Sequence, residues 1–276
     1  MQGRLSPQID GKIQAFPWSC WRAEFAAGAE LGFGGMEWTI DQERFWENPL
    51  VTREGRREIA RHIASSGLGV WSVTGDCFMQ APFWKTSGRE RLERLDEVRA
   101  VCEGCAEVGG RWVVVPLVDN GSIQTPEERR VLLEGLLQMT AFLSELGIGI
   151  AFESDFAHEA LTGFIADFPT GCFGVNLDMG NSASLGYRPE LEIPALGGAI
   201  VNVHVKDRLL GGTTVPLGTG AADLPRSFSL LREGGYRGRY ILQTARDANG
   251  DHAGALRRYR NMVIEYAWPY AVDRVS

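Results

Sequence analysis

Short apolar runs recur along the chain, and stretches with apolar residues at helical spacing separate them. A run of four to eight apolar residues between turn residues is typical of a buried strand, whereas apolar residues three or four positions apart predict a helix. The pattern predicts strands at 12–16, 34–38, 69–74, 112–118, 148–153, 172–177, 199–203 and 240–242. Between two of them, Thr125, Pro126 and Glu128 predict the start of one helix that continues to Leu146.

Strands that alternate with helices favour a parallel sheet, and eight such units close into a (β/α)8 TIM barrel of the α/β class. A chain of 276 residues suits one barrel, so we expect residues 1–276 to form a single domain. The active site is then expected at the carboxyl ends of the strands. A nucleotide-binding α/β fold is less well supported, because neither a Gly-x-Gly-x-x-Gly helix start nor a Walker motif is present.

Side chains able to bind a metal follow the last four predicted strands. They are Glu153, Asp178, His204 and Gln243, separated by 25, 26 and 39 residues. Each of the first two gaps fits one strand–helix unit, and a loop lengthens the third. Oxygen ligands with one imidazole suit a divalent cation such as Mn²⁺, Mg²⁺, Co²⁺ or Zn²⁺. The spacing therefore predicts one metal site at the barrel mouth.

Composition narrows the class of protein. Hydrophobic residues make up 44% and charged residues 23%, as in ordinary globular proteins. A net charge of −7 argues against a nucleic-acid partner, because such binding needs positive charge. No apolar run reaches the roughly 18 residues of a membrane span, and a cytoplasmic protein is expected. Cys102 and Cys105 follow a helical apolar pattern, which predicts core packing.

Three of the strand exits carry motifs that resemble a known family. Phe152-Glu153, Leu-Asp-Met-Gly-Asn at 177–181 and His-Val-Lys-Asp-Arg at 204–208 resemble the xylose isomerase-like TIM barrel superfamily, in its sugar phosphate isomerase/epimerase branch. Glu-Leu-Gly-Phe-Gly-Gly-Met-Glu-Trp-Thr-Ile-Asp at 30–41 is similar to the same branch. The resemblance covers essentially the whole chain, and the order and spacing of the motifs carry it.

The resemblance implies an isomerase or epimerase of carbohydrate metabolism, acting on a sugar, sugar phosphate or related polyol. In that family the four strand exits bind one divalent metal. Carboxylates from strands five and eight exchange protons on opposite faces of the sugar, at the carbon beside its carbonyl. Glu153 would then be both metal ligand and catalytic base, and the metal would polarise the carbonyl and stabilise an enediolate.

Gln243 departs from the family, whose epimerases have glutamate at this position. Its amide oxygen can bind a metal, but the side chain has no proton to exchange at neutral pH. One base on one face suits a 1,2-isomerisation, an elimination, or a proton transfer that another group completes. The change also lowers the charge of the ligand set from three negatives to two.

Other residues near the same strand exits are candidates for the site. Lys206 has the inward parity of His204 and could act in catalysis as an acid, or hold an anion. Arg208 could bind a carboxylate or phosphate of the substrate. Asn181 resembles a residue that contacts substrate hydroxyls in relatives. Glu37 and Trp18, at the exits of the second and first predicted strands, could line the substrate pocket.

Two alternative functions remain open at this stage. A metal-dependent dehydratase of a keto-sugar or keto-polyol would use a similar site, and a catalytically impaired sugar-binding protein would explain Gln243. An endonuclease of the same superfamily needs many histidines and a basic face, which this chain does not have. The glycine-rich loop at 211–220 either holds a phosphate through its backbone N–H groups or only turns. The resemblance also allows a homodimer, for which no stretch of sequence supplies an interface.

Overall fold

Seven parallel strands form the central sheet of the molecule, in the computed structural model that describes residues 1–2, 5–9, 11–12 and 14–268. Their order in the sheet follows the chain, and every neighbouring pair is parallel. The strands are β1 (Gly35–Ile40), β2 (Gly69–Gly75), β3 (Trp112–Leu117), β4 (Gly149–Ser154), β5 (Phe173–Asp178), β6 (Ile200–Val205) and β9 (Arg239–Leu242). The short strands β7 (Asp207–Arg208) and β8 (Thr214–Val215) pair with each other outside this sheet. The predicted TIM barrel is confirmed.

The two N-terminal residues bridge the first and last strands of this sheet. On one side, the backbone nitrogen of Gln2 donates to the backbone oxygen of Leu242 at 3.0 Å. On the other side, the backbone nitrogen of Glu37 donates to the backbone oxygen of Met1 at 2.8 Å, and the Met1 nitrogen donates to the Gly35 carbonyl oxygen at 3.1 Å. Met1 and Gln2 therefore close the ring at the eighth strand position.

The prediction of a first strand at 12–16 is wrong for the residues that the structure describes, and Ile13 lies outside them. Met1 and Gln2 already bond both edges of the sheet, so the position is filled. Glu37 is also placed differently from its prediction. Because β1 continues to Ile40, Glu37 lies inside the barrel and does not mark the end of a strand.

Helices surround the barrel on its outer face. They are α1 (Trp21–Glu30), α2 (Arg53–Ser66), α3 (Asp76–Gln80), α4 (Gly88–Glu107), α5 (Pro126–Leu137), α6 (Thr140–Leu146), α7 (His158–Ile165), α8 (Met179–Ser184), α9 (Pro189–Leu196), α10 (Leu224–Glu233) and α11 (His252–Ala267). The Thr125 hydroxyl accepts from the Glu128 nitrogen, as the capping motif predicts. The helix predicted to run to Leu146 is divided, since α5 ends at Leu137 and α6 begins at Thr140. No described helix is long and apolar enough for a membrane crossing.

Alternation along β4 separates the core from the site. Phe152 is fully buried on the outer face, with ring centroids 5.0 Å from those of Phe164 and Phe168. Successive side chains of a strand point to opposite faces, so the next residue, Glu153, points into the barrel. The aromatic cluster thereby fixes the direction of the carboxylate. Cys102 and Cys105 are buried and unpaired in α4, as predicted.

A buried acid lies outside the barrel, in α9. The Glu192 side chain accepts a hydrogen bond from the Ser182 hydroxyl at 2.8 Å, and only 5% of the residue is exposed. Burial raises the pKa of Glu192 to about 7, against the opposing effect of the Ser182 hydrogen bond. Because folding favours the neutral carboxyl, its contribution to stability is complete below the ordinary pKa of 4.5 and is lost as the pH rises through 7.

We expect Glu192→Gln to remove this pH dependence, because an amide stays neutral. The free energy of unfolding of the wild type, minus that of the variant, should fall by on the order of 2 kcal/mol between pH 5 and pH 8. Urea unfolding at several pH values measures it. The exposed Glu265→Gln in α11 is the matched control and should show little change. A constant difference for Glu192→Gln would contradict the raised pKa.

Candidate metal centre

Three buried ligand groups meet at the carboxyl ends of adjacent strands. Glu153 is on β4, Asp178 ends β5 and His204 is on β6, and one ligand atom of each lies within 4.8 Å of the others. The His204 Nδ1 atom is 3.0 Å from Glu153 Oε2 and 3.8 Å from Asp178 Oδ2. Three of the four metal ligands predicted from the sequence are therefore neighbours, in a group able to hold a metal ion.

The two oxygens of Asp178 have different surroundings. Oδ1 caps α8, because it accepts from the backbone nitrogens of Gly180 at 2.9 Å and Asn181 at 2.8 Å. Oδ2 lies 3.3 Å from the Lys206 ammonium group. Burial raises the pKa of Asp178, but Lys206 and His204 outweigh it and hold this pKa below its ordinary value. Oδ2 is therefore a carboxylate oxygen directed at the centre.

Glu37 lies beneath His204, in the interior of the barrel. Its Oε1 atom is 2.7 Å from His204 Nε2, and only 1% of the residue is exposed. Ser72 donates to Oε2 at 2.7 Å and Thr74 donates to Oε1 at 2.6 Å. Burial alone would raise the pKa of Glu37, but the His204 charge and these hydrogen bonds lower it to about 2. Glu37 is thus a stable buried carboxylate.

Two asparagines join Glu37 to Glu153. The Asn202 amide nitrogen donates to Glu37 Oε2 at 3.0 Å and to Asn176 Oδ1 at 2.9 Å. Asn176 in turn donates to Glu153 Oε2 at 2.9 Å. From the other side, Asn181 donates to Glu153 Oε1 at 2.7 Å. Both oxygens of Glu153 are therefore oriented by amide groups.

Lys206 lies between Asp178 and Gln243. Its Nζ atom donates to Gln243 Oε1 at 2.8 Å, in addition to the contact with Asp178 Oδ2. The side-chain nitrogen of Gln243 donates to Gln14 Oε1 at 3.3 Å, and the side-chain nitrogen of Gln14 donates to Asp76 Oδ2 at 2.5 Å. The amide oxygen of Gln243 is thus turned to Lys206, and the metal-ligand role predicted for Gln243 stays a prediction.

The charges of this centre favour a bound cation. Glu37, Glu153 and Asp178 are three acids around one imidazole, with Lys206 as the neighbouring cation. Burial lowers the pKa of His204, but Glu37, Asp178 and Glu153 together raise it well above the ordinary value. A divalent ion at Nδ1 would take the place of the proton that this field attracts. The donor set, two carboxylates and one imidazole, suits the divalent cations named above.

The glycine-rich loop 211–220 binds an internal carboxylate. Asp207 is fully buried and accepts from the backbone nitrogens of Gly218 at 2.9 Å, Gly220 at 2.8 Å and Ala222 at 3.0 Å. A Cβ at Gly220 would collide with the Asp207 carboxylate, so this position requires glycine. These N–H groups therefore fold the loop and are engaged by Asp207, which leaves the loop a turn.

Arg208 and Trp18 are the remaining candidates from the sequence. Arg208 donates to Asn181 Oδ1 at 2.9 Å and also contacts the Gly212 carbonyl. Trp18 is half-buried, and the Arg44 guanidinium lies 4.0 Å from its ring centroid. Substrate binding by Asn181, Arg208, Glu37 and Trp18 stays a prediction for all four residues.

Sequence reasoning missed the polar layer inside the barrel. Asn176 and Asn202 each precede a candidate ligand by two residues, so strand parity places them on the same inward face. That signal could have identified both asparagines, whereas Ser72 and Thr74 on β2 precede no candidate ligand. Gln14 had no comparable signal, since its segment was assigned to a strand.

Comparison with known proteins agrees with this architecture. The family model described as xylose isomerase-like TIM barrel matches residues 25–262. L-ribulose-5-phosphate 3-epimerase UlaE of Escherichia coli O1:K1 / APEC is 26% identical over 253 residues, covering 88% of this chain and 89% of that relative.

Solved structures share the fold at lower identity. D-psicose 3-epimerase, solved in the presence of D-fructose, matches with a TM-score of 0.73 and 13% identity, over 91% of this chain and 97% of that one. The IOLI protein with a binding zinc atom matches with a TM-score of 0.71 and 16% identity, over 91% of this chain and 94% of that one.

Proposed function

The chain belongs to the xylose isomerase-like TIM barrel family, and from that premise we propose that it is a divalent-metal-dependent isomerase or epimerase. Its substrate is a sugar, a sugar phosphate or a related polyol. The observation that carries the proposal is the buried group of Glu153, Asp178 and His204 at three adjacent strand ends. The sugar epimerases among its relatives support the reaction class. We further propose that residues 1–276 form one domain with the active site at this end of the barrel.

In the proposed reaction, Glu153 removes the proton from the carbon beside the substrate carbonyl. Amide donors hold both of its oxygens, so the carboxylate is oriented before substrate arrives. A divalent ion held by Glu153, Asp178 and His204, with Gln243 as the predicted fourth ligand, would polarise the carbonyl and stabilise the enediolate.

Lys206 is the proposed second proton carrier. Gln243 has no exchangeable acid proton at neutral pH, whereas the Lys206 ammonium group lies 2.8 Å from its amide oxygen. Lys206 would neutralise negative charge on the substrate oxygen or return the proton. Asn181 and Arg208 are the proposed contacts to substrate hydroxyl or anionic groups, because they join each other and Glu153 at the same mouth.

Metal content tests the centre. Elemental mass spectrometry of the protein incubated with Mn²⁺, Co²⁺, Mg²⁺ or Zn²⁺ and desalted should give one ion per chain. His204→Ala should lose that ion, because it removes the imidazole ligand. The matched control, His158→Ala at the start of α7, should retain it. If the wild type binds none of the four ions, the proposal is wrong.

Proton exchange tests the chemistry. Ketoses, aldoses and their phosphates, incubated with the Mn²⁺-loaded protein in deuterated water, should incorporate deuterium beside the carbonyl, as detected by mass spectrometry. Glu153→Gln should reduce the rate by about 10²- to 10⁴-fold, the usual contribution of a general base. Glu192→Gln is the control for the same substitution outside the centre. Retained exchange in Glu153→Gln would assign the base elsewhere.

The charge at position 243 gives a separate test. Gln243→Glu adds a negative charge beside Lys206, so we expect at least about tenfold tighter Mn²⁺ binding by calorimetry, equivalent to about 1.4 kcal/mol. The exposed Gln138→Glu adds the same charge outside the centre and should leave affinity unchanged. Unaltered affinity and unaltered exchange rate in Gln243→Glu would show that position 243 takes no part in the site.

A further inference from the structure

We propose that Glu37 is the positioning residue of the metal centre. It fixes His204 directly and Glu153 through two asparagines, so that their ligand atoms converge on one divalent cation. The inference rests on the proposed function, because it assigns the residue that prepares the same centre. Glu37 lies wholly inside the barrel and acts through other residues.

The contact with His204 selects one ring nitrogen for the metal. A carboxylate only accepts hydrogen bonds, so Glu37 Oε1 at 2.7 Å keeps a proton on His204 Nε2. Nδ1, at 3.0 Å from Glu153 Oε2, is then the nitrogen that can exchange its proton for a metal ion beside the other ligands. A carboxylate that holds the second nitrogen of a metal-binding histidine fixes both its tautomer and its ring orientation.

The surroundings of Glu37 suit a carboxylate and oppose an amide. Besides His204, its oxygens accept from Ser72, Thr74, Asn202 and Gln2, the last at 3.2 Å. All these contacts come from donors. A glutamine of the same shape would place its N–H₂ group, itself a donor, against some of these donors. It could therefore no longer hold both His204 and the asparagines that lead to Glu153.

A second set of hydrogen bonds runs from Glu37 to Glu153, the proposed base. Asn202 donates both to Glu37 and to Asn176, and Asn176 donates to Glu153, so two amides span the distance between the two carboxylates. Each of these side chains is buried and comes from a different strand. Rotation of Glu37 would therefore disturb two of the three ligands in one step.

Metal affinity measured without turnover tests the proposal. Calorimetric titration with Mn²⁺ should show that Glu37→Gln binds about 10- to 100-fold more weakly than the wild type, the usual effect of losing such a partner. Glu192→Gln makes the same substitution at another buried glutamate and should bind as the wild type does. Thermal unfolding at the same pH separates lost affinity from lost structure.

Two further measurements keep the test decisive. If Glu37→Gln does not fold, Thr74→Val removes one donor to Glu37 without touching His204, and it should weaken Mn²⁺ binding at least about twofold. In the Zn²⁺-loaded wild type, nitrogen NMR of the His204 ring should show Nε2 protonated and Nδ1 bound to metal.

The outcomes separate the two proposals. A wild type that binds metal, with Glu37→Gln or its replacement variant binding equally well, overturns the positioning role and leaves the proposed function standing. Zinc on Nε2 overturns it as well. A wild type that binds no metal overturns both proposals together.

Discussion

The hydrogen bond between Glu37 and His204 joins two strands, β1 and β6, that are not neighbours in the barrel, through its interior. A buried carboxylate is costly unless hydrogen-bond donors surround it, and here strands β1, β2, β5 and β6 contribute to one network. The interior is consequently a polar layer beneath the mouth. His204 and Glu153 both have hydrogen-bond partners in this layer.

Charge balance connects this layer to the mouth. Three acids surround His204, and Lys206 lies against Asp178 while its ammonium group also bonds to Gln243. A glutamate at position 243 would pair its charge with Lys206, whereas glutamine supplies only an amide oxygen. Beside Asp178, the centre therefore presents a cation, Lys206, that is held by the neutral amide of Gln243.

At the mouth, the glycine-rich loop 211–220 binds a carboxylate of the protein itself. Backbone N–H groups of a glycine-rich loop attract anions in general, and in this chain the anion is Asp207. Asp207 comes directly after Lys206 and directly before Arg208, so one short segment supplies a site cation, a loop anchor and a contact to Asn181. A phosphate on the substrate would have to be recognised elsewhere at the mouth.

The sequence by itself determined the alternation of strands and helices and the convergence of Glu153, Asp178 and His204, because strand parity and unit spacing are local properties. It did not determine that Met1 and Gln2 close the barrel or that Glu37 lies mid-strand, since both depend on pairing between distant segments. The internal partner of the glycine-rich loop was likewise decided only by the tertiary structure. The Gly218 and Gly220 N–H groups bond to the Asp207 carboxylate, and no local pattern encodes this contact.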